Sequence, residues 1–480
     1  MSGKDFTMLT KNDELTVYIE SVGINGEGIA RVDEKTVFIP YALTGEKVVV
    51  KIVKVCKDYA YGKLLEVLTP SKFRRRAVCP IYGKCGGCQI QHLVYSSQLK
   101  LKENIVRNAF KKIAGLDVHV SPCVKSTAEF GYRNKLQLPV QDSMQGTAIG
   151  FYAENSHRVV KTDDCPINNH WTADVIKSFG IYIKEFSIKG YDERLNTGEL
   201  REITVKTING NLIIVAVVLD KNLRGADKLV SILKENVKTE FSLYFNVNDK
   251  RTNVIYGNEF ILKYGKGFYF GETFGVKYKI GVQSFMQVND DVCKKLYGKV
   301  RDFACVDEET TVIDAYSGAG IMTALVSKNA KKGIGIEIVP EAVRCADELV
   351  KLNGLDGKIS NYCGKCEDLL PEIIEKEMKD GSKTVLILDP PRKGCDYAVI
   401  KSAVDSKVEK IIYVSCMPST LARDVGLITG ALVYKDGLLV KNAERAGEYE
   451  ISEIRPFDMF PQTRHVETLC VLTRVDDKKS

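Results

Sequence analysis

Between residues 15 and 68 apolar and polar positions alternate, which predicts short half-buried strands at 16–22, 36–40, 47–55 and 62–67. Turn glycines lie between them at Gly23, Gly26, Gly28 and Gly45, so this stretch is expected to close into a small all-β barrel. Alternation returns after Phe130, in GYRNKLQLPV and AIGFYAENSHRVV. Asn209-Gly210 between the runs 203–208 and 212–218 predicts a β-hairpin, so the middle of the chain is read as β-rich. Beyond residue 289 the pattern changes. Apolar strands at 311–314, 333–338, 385–388, 411–415 and 468–472 are interspersed with helical stretches such as 341–352. Unbroken apolar strands alternating with helices predict an α/β sheet covered on both faces.

In such sheets ligands sit beyond the carboxyl ends of the strands, and chemistry-bearing residues occur there. TVIDAYSGAGI (311–321) runs through Asp314 and turns at Gly318 and Gly320, where glycine lets backbone approach a ligand. About twenty residues on, GIGIEI (333–338) closes on Glu337, a carboxylate placed to accept hydrogen bonds from ribose hydroxyls. VLIL runs into Asp389 and a Pro-Pro turn in DPPRKG (389–394). IIYVS ends at Ser415 and Cys416 and is broken by Pro418, so a buried strand delivers one thiol to its end. Cysteine is a common packing residue, and position alone does not separate packing from chemistry. Upstream, Cys79, Cys85 and Cys88 follow a C-x5-C-x2-C spacing around Gly83, Gly86 and Gly87, and Cys165 in DDCPI offers a fourth thiolate. That clustering predicts a metal site, which by spacing alone is zinc or iron–sulfur.

Asp314 to Gly320 with Glu337 resembles a class I S-adenosylmethionine-dependent methyltransferase. Adding DPPRKG, VSCMPST (414–420) and FPQTRHVE (460–467) makes nearly the whole chain similar to the RNA uracil-5-methyltransferases of the rRNA RumA and tRNA TrmA type. The resemblance implies a multidomain α/β protein: a TRAM-like, OB-like RNA-binding barrel over 8–68, a β-rich central domain with the cysteines and a basic segment over 69–280, and a Rossmann-like methyltransferase domain over 281–480. It implies S-adenosylmethionine bound by Gln287 of FMQVN, Tyr316, Gly318, Gly320, Glu337 and Asp389. Cys416 is the implied nucleophile, Glu467 the general base, and Asp389 a partner of the uracil edge or of the methyl donor, with His465 supporting the loop. It also implies a [4Fe-4S] cluster on Cys79, Cys85, Cys88 and Cys165, with zinc as the alternative. The C-x3-C-x2-C pattern of radical enzymes is absent, which points to a structural or RNA-positioning cluster. Lys365 stands where relatives more often carry an acidic residue near the adenine. Cys363 and Cys366 have no second pair or histidine nearby and are read as packing residues.

At 480 residues the chain is expected to form about three domains, and 44% hydrophobic with 27% charged residues is ordinary globular composition. No charged-then-apolar leader opens it and no apolar run approaches membrane-spanning length, so a cytoplasmic protein with no membrane contact is expected. Fourteen cysteines then argue for reduced thiols and metal ligation over disulfides. The net charge of +7 is uneven: residues 71–115 hold ten Lys or Arg against Glu103, leaving 59 basic against 61 acidic elsewhere. A basic segment beside a neutral body is a footprint of phosphate binding, or else a solvated helix face. Lys51, Lys54, Lys57, Tyr59 and Tyr61 of the barrel suit backbone and base-stacking contacts. Arg133, Asn134 and Lys135 suit RNA contact or an ordinary strand edge equally. RNA is therefore the expected partner, with rRNA preferred over tRNA on account of the cluster, and a monomer is expected. Cytosine-5 methylation would favour Pro-Cys at the nucleophile, whereas here Met417 separates Cys416 from Pro418. A non-catalytic iron–sulfur RNA-binding protein is the rival from another class, and the intact set Cys416, Asp389 and Glu467 speaks against it.

Overall fold

A computed structural model describes residues 9–143, 146–379, 383–444 and 447–475; the expected domain limits at residues 8 and 480 lie outside them. The first sheet has six strands, in the order Glu14–Tyr18, Lys47–Val55, Tyr59–Thr69, Lys35–Ile39, Gly28–Val32 and Ser21–Val22. Alternate residues, among them Val48, Val50 and Ile52, point into its core with Val37 and Ile39. One strand was not foreseen. Gly28, expected in a turn, opens Gly28–Val32 because a bare backbone is needed there: a Cβ would lie 2.8 Å from the Ala42 Cβ.

The basic segment folds into the helix Tyr95–Ala109, which one wider turn extends over Phe110–Ala114. Its apolar face, with Leu101, Ile105, Val106 and Phe110, joins the core of the C-terminal region. Much of its charge is engaged internally. Lys102 and Asp458 form an ion pair with neither side chain exposed, Arg74 binds Glu46 at 2.5 Å, and Arg75 binds Glu129 at 2.8 Å. Lys100 pairs with Glu103 at 2.9 Å, and the exposed Lys72, Arg76, Lys84, Lys111 and Lys112 remain on the expected phosphate-binding surface.

The central region is a seven-stranded sheet with a helical layer, Trp171–Phe186 and Ala226–Asn236, on one face. The hairpin Leu200–Ile208 to Asn211–Val218 turns through Asn209 (φ 48°) and Gly210 (φ 84°), the paired positive φ angles of a type I′ turn.

The C-terminal sheet comprises β1 (Thr310–Ala315), β2 (Lys332–Glu337), β3 (Ile359–Cys363), β4 (Lys383–Leu388), β5 (Lys410–Ser415), β6 (Tyr449–Phe457) and β7 (Glu467–Arg474). Their spatial order is β3-β2-β1-β4-β5-β7-β6; β7 alone runs antiparallel, between β5 and β6, and the other six strands share one direction. The preceding helix α1 (Asp290–Ala304) is capped by Asn289, whose side chain accepts from the Val292 amide at 3.3 Å. The adjacent Asp290 accepts from the side-chain amide nitrogen of Asn134 at 2.7 Å. Among the described residues no helix is long and apolar enough to cross a membrane.

Gly28→Val should lower the thermal midpoint, since the new side chain enters the filled space at Ala42; overpacking of this kind costs about 1–3 kcal/mol. An unchanged melting curve would contradict the close approach.

Candidate active site

The chain leaves β1 toward β2 and leaves β4 toward β5, so the carboxyl ends of β1 and β4 part around a crevice. A cavity of about 1470 Å³ occupies it and extends to the cysteine segment. Tyr316, Gly318, Glu337, Asp389, Cys416 and Glu467 all line this cavity.

The turn after β1 carries positive φ at Tyr316 (69°), Gly318 (55°) and Gly320 (77°), and is held by the Ser317 amide donating to the Ile336 carbonyl at 2.9 Å and the Gly320 amide donating to the Ser317 carbonyl at 3.0 Å. Nothing lies within 4 Å of a Cβ built at Gly318, so its backbone is open to a ligand. Glu337 ends β2 and accepts from the Gly318 amide at 3.0 Å and the Val339 amide at 2.8 Å. Asp314 is buried and accepts from the Thr323 hydroxyl at 2.6 Å. Burial, reinforced by the charges of Asp389 and Glu337, pushes its carboxyl up to about 7.

Gln287 enters from a strap held by the central region. Its carbonyl accepts from the Asn134 side-chain nitrogen at 2.9 Å, while Lys206 donates to the carbonyls of Val282 (2.7 Å) and Ser284 (2.6 Å). Asn134 is 1% exposed, so it positions this strap and offers nothing to RNA; Arg133 and Lys135 line the cavity. Lys365 is exposed at the same cavity. Of the two cysteines read as packing residues, Cys366 is buried but Cys363 is exposed, because it ends β3 at the sheet edge.

β7 runs antiparallel to β5 with Thr468 opposite Ser415. That register sets Glu467, the first residue of β7, beside Cys416, the first residue after β5. The Cys416 thiol is half-buried; burial and the Glu467 charge raise its pKa, while the Arg392 guanidinium lowers it by charge and by hydrogen bonding. Glu467 is 3% exposed, and burial with the nearby Asp389 charge raises its pKa well above the carboxylate range. Burial likewise raises Asp389. His465 is held down to about 4 by burial and by the Arg464 and Arg392 charges, so it is neutral near pH 7, and its ring packs on Phe460 at 5.9 Å.

Sequence reasoning missed three residues of this site. Arg392 lies within DPPRKG, and the cationic pair Arg392-Lys393 directly after a strand-end acid was the available signal. Cys293 and Tyr297, one turn apart on α1, line the cavity, and the charges of Asp389 and Glu467 reach Cys293. No sequence signal distinguished them from core residues.

Cys79, Cys85, Cys88 and Cys165 line the far part of the same cavity. Burial dominates their raised pKa values, with Cys85 at about 11 and Cys88 at about 12; neighbouring thiolates add to it at Cys85, Cys88 and Cys165, and the Asp164 charge at Cys79. An all-thiol donor set converging from two segments fits a soft metal or an iron–sulfur group. As the side chains stand, no group of three or more His, Cys, Asp or Glu among the described residues has the spacing of metal ligands. All fourteen cysteines are unbridged.

The strand order, the glycine turn after β1 and the acid closing β2 define a methyltransferase of the class I fold. Residues 9–65 match the TRAM domain model, and residues 94–475 match the model described as tRNA (uracil-5-)-methyltransferase. The chain belongs to that family. It is 38% identical over 474 residues to a protein of Clostridium tetani named an uncharacterized RNA methyltransferase, covering 98% of each chain. A protein of the same name in Bacillus cereus ATCC 10987 is 34% identical, with 99% of this chain and 100% of that one covered. Among solved structures, the tRNA (uracil-54, C5)-methyltransferase of Pyrococcus abyssi, in complex with S-adenosyl-L-homocysteine, superposes with a TM-score of 0.74 at 26% identity, over 95% of this chain and 99% of that one.

Because the folded state keeps Asp314 protonated up to about pH 7 while the unfolded chain releases that proton near its ordinary 3.8, this group lowers stability as pH rises between those values. Asp314→Asn should therefore lose less stability than the parent over that window in denaturant titrations at a series of pH values. Equal pH slopes for the two proteins would contradict the burial of an ionisable group here.

Proposed function

We propose that this protein transfers a methyl group to carbon 5 of a specific uridine in RNA, with 23S rRNA as the preferred substrate. The observation that carries the proposal is the meeting of one thiol, Cys416, with the buried carboxylates of Glu467 and Asp389 at the mouth of a nucleotide-sized crevice.

S-adenosylmethionine, which supplies an electrophilic methyl group when bound, fits the crevice lined by Gln287, Tyr316, Gly318, Glu337 and Asp389, with Gly320 shaping the same turn without lining the cavity. The open backbone at Gly318 suits its carboxylate-bearing end, and Glu337 suits its ribose hydroxyls once it exchanges the Val339 amide for them. Uracil carbon 5 is a weak nucleophile. Addition of the Cys416 thiolate to carbon 6 makes an enolate, which activates carbon 5. Arg392 favours that thiolate against the burial that opposes it. After carbon 5 has gained the methyl group, Glu467 takes its proton, the carbon–sulfur bond breaks, and the thiolate leaves with the electron pair. A base for this step needs a raised proton affinity, and burial beside Asp389 supplies it. The target base must be unstacked to reach the pocket.

In this reading, residues 8–68 grip flanking RNA, 69–280 carry the cysteine site and brace the strap of Gln287, and 281–480 perform the chemistry. A [4Fe-4S] cluster, with zinc as the alternative, on Cys79, Cys85, Cys88 and Cys165 would order the far wall of the cavity. The four-cysteine segment supports rRNA as substrate. The Pyrococcus abyssi structure favours a second reading, a tRNA T-loop uridine.

Cys416→Ala should abolish turnover, measured as tritium release from RNA labelled at uracil carbon 5, while Glu467→Gln should accumulate a methylated covalent RNA adduct. Free product release by that variant would remove Glu467 as the base. With unmodified rRNA and tRNA compared in the same assay, release from tRNA alone would overturn the rRNA preference.

Cys85→Ser should lose the brown absorbance of anaerobically purified protein. A colourless parent protein loaded with zinc would refute the iron–sulfur assignment.

A further inference from the structure

Residues 458–466, between β6 and β7, end immediately before Glu467, and their placement is set by groups more than 300 residues earlier in the chain. Gln462 is the centre of this contact. It is fully buried and holds φ at +71°, a strained value for a residue with a side chain. Its amide N–H donates to the Gln98 side-chain oxygen at 3.0 Å, and its own side-chain oxygen accepts from Gln98 Nε2 and from Arg75, both at 2.9 Å. Its carbonyl accepts from the Ile90 amide at 3.2 Å. On either side Lys102 donates to the Phe460 carbonyl at 3.0 Å, and Tyr132 donates to the Pro461 carbonyl at 3.0 Å.

The same elements reach the cysteine segment. Arg75 Nε donates to the Gln91 carbonyl at 3.0 Å, and the Gln91 side-chain oxygen accepts from the Cys79 amide at 3.1 Å. An unbroken set of hydrogen bonds therefore runs from the cysteine turn through Gln91 and Arg75 to Gln462, five residues before Glu467. Buried, fully satisfied networks of this kind fix one geometry, because leaving any member unpaired is costly.

We propose that Gln462 and its clamp, Gln98 with Arg75, are positioning residues for proton removal by Glu467, holding the carboxylate where the carbon 5 proton of the substrate emerges. The inference rests on Glu467 acting as the base. The clamp touches neither Cys416 nor the Gly318 turn, so its loss should spare thiol addition and methyl transfer and should slow the later step. Misplacement of a catalytic group by about 1 Å can cost about a hundredfold in rate.

The test uses Gln462→Gly, because glycine adopts positive φ without strain and deletes only the side-chain bonds. Gln98→Met, which keeps helix propensity and size while removing both polar atoms, is the second variant. Single-turnover reactions on carbon-5-tritiated RNA would follow RNA affinity, covalent adduct formation and tritium release separately, beside Glu467→Gln. Both variants are expected to bind RNA and form adduct within about twofold of the parent while releasing tritium about ten- to a hundredfold more slowly, so that methylated adduct accumulates. Parental tritium release by both variants, with Glu467→Gln trapping adduct, would overturn the clamp alone. A uniform fall in affinity, adduct formation and release, with a lowered thermal midpoint, would overturn it in favour of a merely structural role. Free tritium release by Glu467→Gln would overturn the base assignment and the clamp with it.

Discussion

The pairing of β7 against β5 is the constraint on which the site depends. A parallel strand in that position would carry its first residue to the opposite edge of the sheet from Cys416. Because β7 is antiparallel, with Thr468 opposite Ser415, the beginning of one strand meets the end of the other, and Glu467 and Cys416 become neighbours though 51 positions apart. The apolar interiors of both strands, Ile411 to Val414 and Leu469 to Leu472, are almost wholly buried, so a slip of one residue would turn core side chains to the wrong face. Register is therefore enforced by the core, and the chemistry inherits it.

The second physical theme is the concentration of carboxyl groups at a buried place. Asp314, Glu337, Asp389 and Glu467 all face the crevice or its floor, and burial raises Asp314, Asp389 and Glu467 above the ordinary carboxylate range. Such a site disfavours its own ionisation and favours a cationic ligand, which accords with a sulfonium methyl donor. It also disfavours the thiolate of Cys416. Arg392 is the counterweight, and its position directly after the Pro-Pro turn explains why that rigid turn follows Asp389.

Much of this was legible in the chain. Continuous apolar strands ending at Asp314, Glu337, Asp389 and Cys416 mark a parallel sheet with chemistry at its carboxyl edge, and the structure brings those residues to one cavity. The Asn209-Gly210 turn was readable because its positive φ angles demand those residue types. The strand Gly28–Val32 was not, since glycine signals turns more often than close backbone contact. The helix Trp171–Phe186 was overlooked although Trp171, Val175, Ile176, Phe179 and Ile183 repeat at helical spacing, because neighbouring alternation suggested strands throughout. The basic segment was legible only in part, for a different reason. Pairings such as Lys102 with Asp458 and Arg75 with Glu129 join distant positions, and composition cannot reveal which charges are already neutralised. The same holds for the role of Gln462, whose partners lie more than 360 residues away.

The central claim is that Cys416 forms a covalent bond to the target uracil during methyl transfer. The most direct measurement replaces the target uridine with 5-fluorouridine, whose carbon 5 has no proton for a base to remove, and seeks a denaturation-stable protein–RNA complex by gel shift and peptide mass analysis. The account predicts a complex that needs S-adenosylmethionine and maps to the peptide containing Cys416. A bond to another residue, or methylation of ordinary RNA with no trapped complex from the fluorinated one, would contradict it.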